Sequence, residues 1–118
     1  MQNKRRILSS YDLLQNDSCL SEVLRILTKY FKPERIYLFG SKARGENTAS
    51  SDYDILLVLP HLERPSYEYA GDAYKLLREI TEPIDIVFLS RKRFEEDKEV
   101  VNTVAEAAYK LGVELYAA

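Results

Sequence analysis

A chain of 118 residues suits one compact domain, and 46% hydrophobic with 31% charged residues is an ordinary soluble composition, which excludes a disordered one. The formal net charge of −2 excludes a global basic field that would draw the chain to nucleic acid or membranes. No apolar stretch approaches the ~20 residues that span a bilayer; the start "MQNKRRILSSYDLLQN" has no long apolar core behind its basic residues, so no signal peptide is read.

"DSCLSEVLRILTKYFKPE" reads as an amphipathic helix. Leu20, Val23, Leu24, Leu27, Tyr30 and Phe31 recur at helical spacing, Asp17 or Ser18 can cap it, and Pro33 ends it. Its lone Cys19 has no internal disulfide partner, which fits a reducing cytoplasm, and reads as a buried, inert thiol. "RIYLFGS" is a short strand that stops at Gly40 in a tight turn. "KARGENTASS" is a polar loop with room for one helical turn at its start. "DYDILLVLP" is a strand stopped by Pro60, and its Ile55-to-Leu59 run is apolar on both faces, as a central, covered strand should be. "HLERPS" is a loop, in which His61 reads as a surface residue. "YEYAGDAYKLLREITE" is a second helix with Tyr69, Ala73, Leu76, Leu77 and Ile80 on one side. Tyr67, Tyr69 and Tyr74 cluster there; they could stack a base or face a partner, although tyrosine also fills helix margins routinely.

"PIDIVFLS" is another strand, with Pro83 tolerable at its start. "RKRFEED" reads as a charged connection; Arg91 to Arg93 could touch phosphate or RNA, but the acidic residues that follow favour a solvated, internally paired segment. "KEVVNTVAEAAYKLG" is a third helix with Val100, Val101, Val104, Ala108 and Leu111 inward and Gly112 as its stop. "VELY" reads as a short edge strand. The order α-β-β-α-β-α-β, with a hairpin-like pair early on, predicts a single α/β (α+β) domain over 1–118: a small mixed β-sheet with helices packed on it.

The chemistry gathers in "GSKARGENTASSDYDILLVL". Asp52 and Asp54, two residues apart on a strand, point to one face, and the apolar run behind them is a poor neighbour for two like charges. A hard divalent cation with oxygen ligands is the usual remedy, and Mg²⁺ keeps several waters while binding a few carboxylates and substrate phosphates. Asp85 opens a later strand with the same aspartate-then-apolar grammar. If the two strands are neighbours, Asp85 joins the pair, and three carboxylates hold one or two metal ions. Gly40 lets the backbone approach a phosphate, Ser41 adds a hydroxyl, and Lys42 and Arg44 add positive charge. Phosphate donors beside a carboxylate–metal site describe phosphoryl or nucleotidyl transfer by in-line displacement.

Gly-Ser, ten residues, then Asp-x-Asp is the pattern of the DNA polymerase β-like nucleotidyltransferase superfamily, and "GSKARG" with "SDYD" on so short a chain resembles the minimal nucleotidyltransferases. The resemblance implies that Gly40 and Ser41 bind the triphosphate, that Asp52 and Asp54 coordinate Mg²⁺, and that Asp85 is the third carboxylate, which helps bind the metal and activate the attacking hydroxyl. Arg44, in the "ARG" segment, would steady the triphosphate. It implies ATP as nucleotide and AMPylation of a tyrosine on a helical HEPN toxin within a toxin–antitoxin pair, hence a hetero-oligomer; the composition read above adds a cytoplasmic protein with no membrane contact and no direct nucleic-acid binding. Two alternatives stand beside it: a non-catalytic antitoxin that masks its partner, and a catalytic subunit whose helical partner completes a pocket for a small molecule.

Overall fold

A computed structural model describes residues 10–45 and 52–118. The basic N-terminal segment and most of the polar loop read from "KARGENTASS", Glu46 and Ser51 included, lie outside the described residues. Four strands, β1 (Arg35–Phe39), β2 (Tyr53–Leu59), β3 (Ile84–Ser90) and β4 (Val113–Ala117), form one mixed sheet in the order β3-β2-β1-β4. β1 is antiparallel to both β2 and β4, and β3 is parallel to β2. The helices are α1 (Ser10–Asn16), α2 (Ser18–Phe31), α3 (Ser41–Arg44), α4 (Ser66–Leu76), α5 (Arg91–Asp97) and α6 (Val104–Leu111).

β2 is apolar on both faces because helices cover both. On one face Leu20, Val23 and Leu27 of α2 and Ala73 of α4 pack with Ile36, Leu38, Ile55, Leu57, Ile86 and Phe88. On the other, Phe94 of α5 and Ala105 and Ala108 of α6 pack with Tyr37, Leu56 and Val58. Each fully buried Leu or Phe here is worth about 1.5–3 kcal/mol. Of the two candidate caps for α2, Asp17 takes the role: its Oδ1 accepts the Leu20 N–H at 3.0 Å.

Several expectations are corrected. The segment at Arg91 is a helix, α5, not an open connection. Its internal pairing is as read: Lys92 bonds Glu96 at 2.7 Å and Arg93 bonds Asp97 at 2.9 Å, while Arg91 pairs with Glu34. Phe94, 1% exposed, anchors it to the sheet. The last helix begins only at Val104, because Asn102 adopts φ 71° and Thr103 caps the next turn, accepting the Glu106 N–H at 3.0 Å. Val100 and Val101 therefore sit in a turn and are 48% and 71% exposed rather than inward, and Leu111, in the last turn of α6, is 50% exposed. α4 stops at Leu76, so Leu77 and Ile80 reach the core from the turn after it. Tyr30 lies off the buried stripe of α2 and is exposed. Cys19 is half-buried, and its thiol is pushed up to about 11, first by burial and then by Glu82, so it stays protonated and unreactive. His61 is exposed and bonds Glu63 at 3.0 Å. Among the described residues no helix is long and apolar enough to cross a membrane.

Candidate active site at the sheet end

The strand pairings bring three distant segments to one end of the sheet. Antiparallel register sets Phe39 of β1 beside Asp54, and parallel register sets Asp54 beside Asp85. Side chains alternate along a strand. Tyr53, Ile55 and Leu57 point towards α2, so Asp54 shares the opposite face with Leu56 and Val58. Asp85 shares that face with Val87, and Asp52, one residue before the strand, lies near enough to raise the Asp54 carboxyl. The neighbourhood that sequence could state only conditionally is present: Asp85 stands next to Asp54.

Gly40 follows Phe39 and meets the same carboxylate. A Cβ built on it would fall inside van der Waals contact of Asp54 Oδ2 and 3.2 Å from Asp54 Cγ. Its backbone, φ 79° and ψ −162°, lies in a region that only glycine occupies readily. Gly40 is thus required twice, by conformation and by space. Its carbonyl accepts from Ala43 N–H at 3.1 Å and Arg44 N–H at 3.3 Å, which starts the single turn of α3 with no side-chain cap. Ser41 opens that turn and Arg44 closes it, both half-buried.

Lys42 is not brought to the carboxylates. Its Nζ sits 4.4 Å from the centroid of the Tyr53 ring, on the α2 side of the sheet. The Tyr53 hydroxyl donates to Asp17 Oδ2 at 2.7 Å, and burial followed by Asp17 pushes the phenol well above its ordinary range. A cavity of about 280 Å³ opens there, lined by Asp12, Asp17, Lys42 and Tyr53 among others, on the face away from Asp54.

The carboxylates are electrostatically unsettled. Asp54 is raised above its ordinary carboxyl value, first by burial, then by Asp85, then by Asp52, and every contribution pushes the same way. Oxygen donors that repel one another suit a hard divalent cation. Among the described residues, no group of three or more Asp, Glu, His or Cys side chains is placed so that it could hold a metal ion, so the three-carboxylate set expected of Asp52, Asp54 and Asp85 is not gathered as such. Asp54 and Asp85 form a pair in register, and Asp52 is exposed at the mouth. Such an open set fits Mg²⁺, which keeps waters and shares its coordination with substrate phosphates, better than it fits a closed cage.

Sequence reasoning missed the part played by Tyr74. Its hydroxyl accepts the Ile86 N–H at 2.9 Å and donates to Asp85 Oδ1 at 3.3 Å. A signal was available: the short connection from α4 to β3 obliges the last turn of α4 to lie near the first residues of β3. Of the other clustered tyrosines, Tyr69 packs on Phe88 at a ring separation of 5.5 Å, and Tyr67 is 74% exposed.

The "Poly(A) RNA polymerase GLD2" of Xenopus tropicalis is 44% identical over 48 residues, which is 41% of this chain but only 9% of that protein. The "Putative protein adenylyltransferase MJ1379" of Methanocaldococcus jannaschii is 37% identical over 68 residues, 52% of this chain and 68% of that protein. A crystal structure titled as a "putative nucleotidyltransferase" from Sulfolobus solfataricus superposes with a TM-score of 0.57 over 98% of this chain and 90% of that one; at 23% identity this is a likeness of fold. The profile of the nucleotidyltransferase domain matches residues 20–110, a span that takes in Gly40, Ser41, Asp52, Asp54 and Asp85, and the chain belongs to that family.

Proposed function

We propose that the protein is a Mg²⁺-dependent adenylyltransferase that moves AMP from ATP to a hydroxyl on a partner protein. The observation that carries this reading is the position of Asp54, in register with Asp85 and pressed against a glycine that can have no side chain. Asp52, Asp54 and Asp85 would hold the metal. Once bound, Mg²⁺ supplies charge neutralisation at the phosphates and a template for in-line displacement. The turn from Gly40 and Ser41 would take the triphosphate through backbone N–H groups and the serine hydroxyl, with Arg44 near its end. The acceptor oxygen attacks the α-phosphorus, the new P–O bond forms as the bond to pyrophosphate breaks, and the acceptor proton passes to Asp85. The relative named as a protein adenylyltransferase favours a protein acceptor, and the resemblance in "GSKARG" suggests a tyrosine of a HEPN toxin, held in a cytoplasmic hetero-oligomer.

The test is intact-mass spectrometry of a candidate HEPN partner incubated with this chain, ATP and Mg²⁺, with Asp54→Asn as control. A gain of one or more AMP units, absent in the control, is expected. A stable complex with no mass change on the partner would refute transfer in favour of simple masking.

A further inference from the structure

We infer that Tyr74 is a positioning residue for Asp85: its phenol, anchored on the backbone of β3, holds the Asp85 carboxylate at the site. The inference rests on the reading of Asp85 as a metal-binding carboxylate given above. β3 is an edge strand, so its outward N–H groups have no neighbouring strand to bond. Ile86 supplies one of these, and the residue is only 4% exposed. α4 packs beside β3, and Tyr74 in its last turn reaches to that edge, where its oxygen takes the Ile86 N–H at 2.9 Å.

That first bond directs the second. A phenol has one proton to give, and with its oxygen fixed by Ile86 the proton lies on the Asp85 side, 3.3 Å from Oδ1. Asp85 itself is exposed on an edge strand. No other hydrogen bond or ion pair to its carboxylate is made among the described residues. Without Tyr74 it would sample several rotamers and lose that freedom on each binding event. With Tyr74, one oxygen is held and the other remains for a ligand. Residues that orient a metal-binding carboxylate typically change metal affinity or activity by about 10–100-fold when removed.

The experiment is Mn²⁺ binding followed by electron paramagnetic resonance, together with transfer kinetics, on wild type, Tyr74→Phe, Asp85→Asn and the double variant. Tyr74→Phe is expected to weaken Mn²⁺ binding by about 10-fold and to lower kcat while KM for ATP stays within about twofold. In the Asp85→Asn background the same change should have no further effect, because its target is gone. Tyr69→Phe is the control: its hydroxyl, on the same helix, accepts the Glu63 N–H at 3.0 Å and touches no carboxylate. It should match wild type. If Tyr74→Phe does not fold, 4-methoxyphenylalanine at position 74 replaces it, keeping the oxygen that accepts the Ile86 N–H and removing the proton given to Asp85; weakened Mn²⁺ binding is then expected, and wild-type binding overturns the inference. Wild-type Mn²⁺ binding and kcat in a folded Tyr74→Phe overturn the role of Tyr74 alone. No Mn²⁺ binding by the wild-type chain overturns the reading of the site, and the inference with it.

Discussion

Gly40→Ala adds one methyl group where the phosphate turn meets Asp54, and two separate costs follow. The first is conformational. At φ 79° and ψ −162° an alanine is strained by about 1–3 kcal/mol. The second is steric. The new Cβ overlaps Asp54 Oδ2 and lies tight against Cγ at 3.2 Å, with Cβ at an ordinary 3.5 Å, so the carboxylate group must turn. Overpacking of this kind costs about 1–3 kcal/mol. Because one backbone adjustment relieves part of each, the sum should be about 2–4 kcal/mol, or a fall in Tm of roughly 8–15 °C for a chain of this size. The effect on turnover should be larger than the effect on folding, since a carboxylate displaced by about 1 Å can lose about 100-fold in rate. Urea denaturation gives the first number, and transfer kinetics well below both melting points give the second. A Gly40→Ala protein within about 0.5 kcal/mol of wild type and with wild-type turnover would refute the described contact between Gly40 and Asp54.

Three further outcomes are expected. Asp54 binds its proton more tightly in the fold than in the unfolded chain, so its charge costs stability as pH rises from its ordinary value of 3.8 through the raised one. In metal-free buffer at neutral pH, Asp54→Asn should therefore melt at or above wild type, whereas added Mg²⁺ should raise the melting point of wild type only; a destabilised Asn variant without metal would contradict this. Lys42→Met should lose about 0.5–1 kcal/mol with the Tyr53 ring contact and leave KM for ATP within about threefold; a far larger rise in KM would bring Lys42 back to the triphosphate. Gly112→Ala should lose about 1–3 kcal/mol in thermal denaturation without changing turnover at low temperature, because its Cβ would lie 2.5 Å from the Ala108 carbonyl oxygen and 2.7 Å from that of Leu38, away from the carboxylates.

The strands were readable because their signals are local. The apolar run behind Asp54 can only be a strand covered on both faces, and Asp17 announces α2 one residue early. α5 escaped the same reading since it has almost no apolar period: one buried Phe94 and side-chain ion pairs four residues apart stabilise it instead. The late start of α6 was written as Thr103 three residues before Glu106, a capping signal that the valines ahead of it obscured. At the site, the neighbourhood of Asp52 and Asp54 follows from their spacing, but Lys42 shows the limit of spacing. Two residues past Gly40 it reads as charge beside the phosphates, while the one-turn helix sets its Nζ over the Tyr53 ring, a contact that spacing could not give. The short connection from α4 to β3 places Tyr74 near the start of β3, but that its hydroxyl meets Asp85 in particular is set by how the helix crosses the edge of the sheet.

The register between β2 and β3 has a consequence for folding as well as for chemistry. Asp54 and Asp85 are 31 positions apart and meet only when every step from Tyr53 beside Ile84 to Leu59 beside Ser90 is in place. A slip of one residue would send one of the two carboxylates through to the α2 side of the sheet. A slip of two would keep the face but separate them by a further ~6.6 Å. A divalent ion that needs both would bind the correct alignment and reject its neighbours. The aspartates that repel one another would then make the loaded sheet self-checking, and ion affinity would serve as a ruler for whether this β-sheet has closed correctly.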